Sequence, residues 1–291
     1  MAGEKRKFGD RWDGIWLRDI DPMHGIIPFV MPHRADRETF LKITVDLTKA
    51  LQFLQQKNEG RTEDKYTLFH LIATSIVKTL TLRPKMNRFY QGGRLYQRRW
   101  LTLAFIVKKK FQDESHEALA FKYFGPETTI DSLHEELMKE IHQCRREDQN
   151  DTTTDFMEKF LRLPRWILWP VFFIIRRLDF FGKVPRDLIT TDPSFASVLI
   201  SNLGSIGLDA AYHHLNNWGT TSVFAAIGKM YDKTELNPDG SHFTHTVLDL
   251  GITLDEGIAD GYYFSRSLKL LKHLIENPEL LDLKASEEVE Y

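Results

Sequence analysis

Leu248-Asp249-Leu250-Gly251-Ile252-Thr253-Leu254-Asp255-Glu256-Gly257-Ile258-Ala259-Asp260-Gly261 is the stretch on which the reading of this chain turns. From Val247 to Leu254 apolar side chains recur at every second position, the period of a half-buried strand. The strand runs into an acidic turn, Asp255-Glu256-Gly257. Two small apolar residues later comes Asp260-Gly261, and then a helix pattern opens, with Phe264, Leu268, Leu271 and Ile275 on one face and Pro278 as its stop. Asp260 is a good N-cap, because its carboxylate accepts free N–H groups of the first turn and faces the positive end of the helix dipole. Glu256 thus sits on a tight strand-to-helix turn, where a side chain projects into a cleft.

Upstream, Ser197 to Ser201 reads as a buried strand, followed by Asn202-Leu203-Gly204-Ser205-Ile206-Gly207. Leu208 to Leu215 is expected to be a short helix. Thr221 to Met230 is a further strand, and Asn237-Pro238-Asp239-Gly240 is a turn that sends the chain back along His242 to Leu254. In the first half, residues 1–24 form an arm whose Trp12, Ile15 and Trp16 pack on something. Asp21 to His24 is a turn signal, and Gly25 to Pro32, interrupted by proline, is an edge strand or irregular. Phe40 to Val45 alternates as a strand and precedes a helix to Lys57. Thr67 to Leu82 is a strong helix pattern with Pro84 just past its end. Gln91-Gly92-Gly93-Arg94 is a hairpin signal. Strands at Leu101–Val107 and Ala118–Phe124 are followed by a helix to about Arg146, which carries Cys144.

The chain has 291 residues, 42% hydrophobic and 27% charged, with a formal net charge of -2. Such a balance suits a globular protein and gives no global pull toward nucleic acid. A single cysteine excludes an internal disulfide and fits a reducing, cytoplasmic setting. With no acid–base partner nearby in sequence, Cys144 reads as a bystander thiol. No secretory signal, repeat or low-complexity tract is visible, and no glycine-rich phosphate loop follows a strand. His213-His214, twelve residues past Ser201, and the scattered His24, His33, His242 and His245 are further candidates for acid–base work. The pair lacks a nearby Cys or carboxylate at ligand spacing and reads as a surface or core pair, so no metal site is expected. His70 lies on an apolar helix face and reads as a packed core residue.

One segment stands apart. Residues 160–181 contain Trp166-Ile167-Leu168-Trp169-Pro170-Val171-Phe172-Phe173-Ile174-Ile175, flanked by Arg162, Arg165, Arg176 and Arg177. The uninterrupted apolar run is about ten residues, short of the roughly 20 a bilayer span needs. The simpler reading is a helical pair split by Pro170, buried in the core or at a subunit contact. The sharper one is an interfacial membrane anchor, or a lid over an acyl site.

The stretch from Leu248 to Gly261 resembles the active-site segment of the chloramphenicol acetyltransferase and dihydrolipoyl acyltransferase families, whose signature is histidine, three residues, then Asp-Gly before a helix. The Asp-Gly falls on Asp260-Gly261, and the histidine position falls on Glu256. A second segment, Ile200-Ser201-Asn202-Leu203-Gly204, is similar to the Ile-Ser-Asn-Leu-Gly segment of dihydrolipoyl acyltransferase catalytic domains. There the serine donates a hydrogen bond to the tetrahedral oxyanion, a role that would fall on Ser201. The helix Thr67–Leu82, with Arg83-Pro84 and Asn87, and the Gly92-Gly93-Arg94 hairpin fit more weakly. The resemblance spans residues 25–283 in order and leaves the segment around 150–190 without a counterpart. Residues 284–291 would be a loose acidic tail. No lipoyl-attachment or subunit-binding domain precedes the matching part, so a whole dehydrogenase-complex subunit is not expected.

The resemblance implies an α/β two-layer sandwich with a mixed, largely antiparallel sheet covered by helices. Interspersed helices and hairpin-linked strands point the same way. It also implies a homotrimer, in which the acid–base residue of one subunit faces the serine of its neighbour across a channel. Coenzyme A thioester would enter from one side as co-substrate and a small acceptor from the other, with no tightly bound cofactor. Asp260 would hold the turn through an arginine, with Arg18 as candidate partner. Histidine suits such chemistry because its pKa lies near 7, whereas an ordinary glutamate, near 4.3, is a weak base toward a thiol of about 8.5. Burial, or neighbours such as Asp255 and Asp260, strengthens a carboxylate base. Three functions follow: an acyltransferase using Glu256, Ser201 and Asp260; a catalytically inactive trimeric scaffold that binds a ligand or partner; or a membrane-peripheral lipid acyltransferase.

Overall fold

Leu248, Leu250, Ile252 and Leu254 turn every second side chain of one strand into the main hydrophobic core, and the rest of the sheet is aligned on them. A computed structural model describes residues 7–108, 117–145 and 162–291. The polar stretch 147–155 and the first part of the insertion lie outside the described residues. That central strand, β9 (His242–Asp255), pairs antiparallel with β2 (Glu38–Asp46) on one side and β8 (Val223–Leu236) on the other. β8 pairs in parallel with β7 (Val198–Asn202), β7 in parallel with β5 (Leu101–Lys108), and β5 antiparallel with β6 (Glu117–Phe124). The six-stranded order is therefore β2-β9-β8-β7-β5-β6, a mixed sheet in which antiparallel pairs predominate. A smaller sheet, β1-β4-β3, joins β1 (Gly14–Trp16) to the hairpin β3 (Arg88–Gln91) and β4 (Arg94–Arg98). Gly92 and Gly93 both take positive φ, 58° and 73°, the geometry a two-residue hairpin turn requires.

Helices cover one face. They are α2 (Thr48–Lys57), α3 (Leu68–Leu82), α4 (Ile130–Arg145), which carries Cys144, and α7 (Gly261–Glu276), all of which give side chains to the same core as Leu250 and Ile252. α3 is buried along most of its length, and His70 on it is 3% exposed, packed between the rings of Tyr66, Phe69 and His134. With α5 (Arg165–Phe180) and α6 (Arg186–Thr191) elsewhere on the surface, this is the α/β sandwich expected.

Three local expectations are corrected. Residues Gly25 to Pro32 do not form a strand: Pro22–Val30 is a helix, α1. Asp21 accepts from Met23 N–H (2.8 Å) as its cap, and Pro22 occupies its first turn. Pro28 lacks the N–H that would bond the His24 carbonyl, and the Tyr90 hydroxyl donates to that carbonyl instead (2.6 Å). Leu208 to Leu215 is not helical. It lies extended as a strap over the sheet face opposite the helices. His213 stacks on Phe224 of β8 (4.4 Å), Leu215 packs with Phe224 and Ala226, and Lys229 N–H donates to Leu208 O (2.8 Å). Two glycines make room for it: a Cβ on Gly228 would stand 2.5 Å from Ala210 N, and one on Gly251 2.3 Å from Ala211 O. The apolar segment around Trp169 is one helix with Pro170 inside it, not a pair, and it is not buried in the core: Trp166 and Trp169 are 75% and 77% exposed.

Candidate active site

Asp255 ends β9 and is fully buried. Its Oδ1 accepts from Arg37 Nε (2.7 Å) and from Gly257 N–H (3.1 Å), so the turn closes on its own carboxylate. Its Oδ2 lies 3.9 Å from Arg34 Nε, an ion pair without a hydrogen bond. Arg37 Nη1 donates to Met31 O (3.0 Å), and its guanidinium stacks over Tyr90 (4.8 Å). Arg34 donates to the carbonyls of Asn216 and Gly219. Burial pulls its pKa down to about 10 against the attraction of Asp255, so it stays charged at neutral pH. Two arginines therefore tie the end of β9 both to the segment before β2 and to the end of the strap.

Neither arginine was foreseen as a site residue. Arg34 and Arg37 flank a short 3-10 turn, Arg34–Arg37, and only their burial at 5% and 4% marks them out. A buried aspartate closing an apolar strand was the available signal, since it calls for a cationic partner.

On this clamped turn Glu256 is exposed, and Thr39 Oγ1 of the edge strand β2 donates to its Oε2 (3.2 Å). Asp260, also exposed, accepts from Tyr263 N–H (2.8 Å) and caps α7 as the sequence suggested. That hydrogen bond holds its carboxyl below the usual range. Its expected partner is elsewhere: Arg18 lies 3.6 Å from Asp10, donates to Phe8 O and stacks on Trp16 (4.6 Å). The arginine clamp belongs to Asp255, five positions earlier, because the buried strand end needs charge compensation and a solvated N-cap does not.

A groove of about 380 Å³ runs between β2 and α7, lined by Thr39, Leu41 and Phe264 and by Lys42, Lys269 and Lys272. Thr39 both lines the groove and bonds Glu256, so the groove opens beside the turn. Among the described residues no group of His, Cys, Asp and Glu side chains is assembled to hold a metal. His214 faces Glu38 (2.7 Å) and His245 faces Asp46.

Ser201 stands half-buried near the end of β7, and Asn202 beside it caps the following 3-10 turn through Ser205 N–H (3.2 Å). The register places Ser201 opposite Ala226, and Ala226 opposite Gly251. Glu256 lies five residues beyond Gly251 and two strands across, about 20 Å from Ser201 at ordinary strand spacings. A single chain does not bring the two together.

No protein-family model and no curated protein sequence matches the chain. Solved structures do. A probable dihydrolipoamide acetyltransferase from Listeria monocytogenes aligns over 95% of this chain and 96% of its own, with TM-score 0.58 and 12% identity. The Azotobacter vinelandii dihydrolipoamide acetyltransferase aligns over 92% and 94%, with TM-score 0.60 and 13% identity. A chloramphenicol acetyltransferase aligns over 91% and 98%, with TM-score 0.53 and 10% identity. The polypeptide thus has the fold shared by chloramphenicol acetyltransferase and the catalytic cores of dihydrolipoamide acetyltransferases.

Proposed function

We propose that the protein is an acyltransferase, moving an acyl group from a coenzyme A or carrier thioester to a small acceptor, with Glu256 as general base. The observation that carries this is the turn itself. Glu256 is displayed on a strand-to-helix turn held by the Asp255–Arg37 pair (2.7 Å) and by the Asp260 cap, within an acyltransferase fold. A base must be rigidly placed before its pKa matters. The adjoining groove supports a donor that joins an apolar chain to phosphates, since Lys269 and Lys272 line it beside Leu41, Ile43 and Phe264, while Lys42 turns its ammonium to Asp249 (2.7 Å).

The site would be completed by a second copy. Ser201 of a neighbour would supply the oxyanion donor that Glu256 lacks within its own chain. α1, which packs Ile27 against Gly257 of the turn, exposes Met23, Ile26, Phe29 and Val30 at 51–77%, a surface suited to a neighbouring subunit. Taking a carboxylate out of water strengthens it as a base, and closure of that neighbour over the turn would do so.

The test is acetyl-CoA turnover by purified protein, read as released thiol with a panel of amine, hydroxyl and thiol acceptors. Glu256→Gln is expected to lower the rate by 10²-fold or more, the usual size of a general-base contribution, while acetyl-CoA binding persists. Wild-type protein that binds acetyl-CoA but releases no thiol, with activity gained only in Glu256→His, would instead identify an inactive scaffold that serves in binding.

A further inference from the structure

We infer that α5 is a membrane-docking helix that lays its outer face on an anionic phospholipid surface. The helix has two unlike faces. The inner one carries Ile175, which packs with Val184, Ile189 and Phe195, and Phe172, whose ring meets Trp218 (5.7 Å). It ends in Asp179, buried and 2.9 Å from Arg11 Nη2. Behind it the Phe180 carbonyl sits so close to the β3–β4 turn that a Cβ on Gly92 would stand 2.0 Å away. α5 is therefore fastened along one side and at its C-terminal end.

The outer face carries Trp166, Trp169, Phe173 and Phe180, exposed at 75%, 77%, 63% and 48%, with Phe181 at 65% just beyond. Their spacing keeps them on one stripe of a helix about 24 Å long. Arg162 and Arg165 precede this stripe, Arg176 and Arg177 flank it between Phe173 and Phe180, and Arg177 stacks over Phe173 (5.8 Å). From 162 to 178 there is no acidic residue, and Asp179 is turned inward. A continuous aromatic stripe with tryptophans and a purely cationic margin matches the boundary between acyl chains and anionic headgroups, where indoles seat and arginines meet phosphates.

The same arrangement argues against a second copy as the occupant. With arginines at 162 and 165 and again at 176 and 177, a two-fold contact of α5 on α5 sets arginine against arginine whether the paired helices run antiparallel or parallel. Spanning is also excluded for this element, because among the described residues no helix is long and apolar enough to cross a membrane. This docking stands apart from the acyl site, since nothing in it requires Glu256 to turn over substrate.

The experiment is flotation of the full chain with vesicles of phosphatidylcholine alone or mixed equally with phosphatidylglycerol. Wild-type protein is expected to float with the mixed vesicles and to bind phosphatidylcholine alone at least about tenfold more weakly, given the attraction of each basic residue to an anionic surface. The double variant Trp166→Ser/Trp169→Ser should lose binding to both. Arg176→Gln/Arg177→Gln should lose only the preference for the anionic surface. Far-ultraviolet circular dichroism and thermal midpoints unchanged in both variants show that the fold is intact. Wild-type protein left in the soluble fraction overturns the inference, as does flotation indifferent to the tryptophans. A tryptophan variant that changes oligomeric mass without affecting flotation makes the face a protein contact, and overturns it too.

Discussion

Asp255 carries more of the candidate site than the residue beside it. Its carboxylate is shared among Arg37, Arg34 and the Gly257 N–H, and none of these contacts is open to water. Removing one partner from a buried pair leaves the other charge uncompensated. Asp255→Asn, similar in shape but uncharged, is therefore expected to cost about 3–5 kcal/mol, read as a lowered urea midpoint. A cost under about 1 kcal/mol, the worth of a surface ion pair, would show that the clamp is not what holds the turn. His70 gives a pH-dependent expectation. Burial, and next the neighbouring His134, depress its pKa to about 4. Its Nδ1 accepts from Thr67 N–H (3.1 Å), leaving Nε2 protonated in an apolar site. Above pH 6.5 the folded and unfolded chains hold this imidazole alike. Between about 6.5 and 4 the unfolded chain binds a proton that the folded one refuses, so stability falls as pH falls, by up to about 3 kcal/mol. His70→Gln, which does not titrate there, should lose less stability than wild type between pH 7 and pH 5. Equal losses in the two would remove His70 as a source.

At the scale of elements, the strap over the outer sheet face is the feature that local propensity misread. Leu208 to Leu215 carries a helix-compatible pattern, yet helix formation there would leave Phe224 and Ala226 uncovered and give up the close backbone approach that Gly228 and Gly251 permit. Burial outweighed the modest intrinsic preference. Gly251→Ala tests this. Its methyl would meet the Ala211 carbonyl at 2.3 Å, backbone that cannot swing aside, so about 1–3 kcal/mol of destabilisation is expected. A neutral substitution would mean the strap floats. α1 was misread for a related reason. A proline inside a short apolar run argues against helix until Tyr90, distant in sequence, supplies the missing donor.

At the scale of the whole molecule, the sheet register separates Ser201 from Glu256 by about 20 Å, so the proposed chemistry depends on assembly. If neighbouring subunits complete each site, Ser201→Ala and Glu256→Gln are each inactive alone. Unfolding and reassembling them together in equal amounts should then restore activity, because about a quarter of randomly formed interfaces pair an intact serine with an intact glutamate. No recovery, with mixed oligomers shown to form, would rule out a shared site.

The alternation that drives Leu248 to Leu254 into the core, the Asp260 cap, the glycine hairpin at 92–93 and the buried helix α3 were legible from the residues, and so was the sandwich they build. Each rests on neighbours within a few positions, where periodicity, capping and turn chemistry act directly. The clamp on Asp255 was not legible, because its partner Arg37 lies 218 positions away and nothing local marks an arginine for burial. The strap and the proline-tolerant α1 were hidden likewise, and the residues of α5 left open whether its apolar face is buried or turned outward: which face of a segment is covered depends on what the finished fold lays against it.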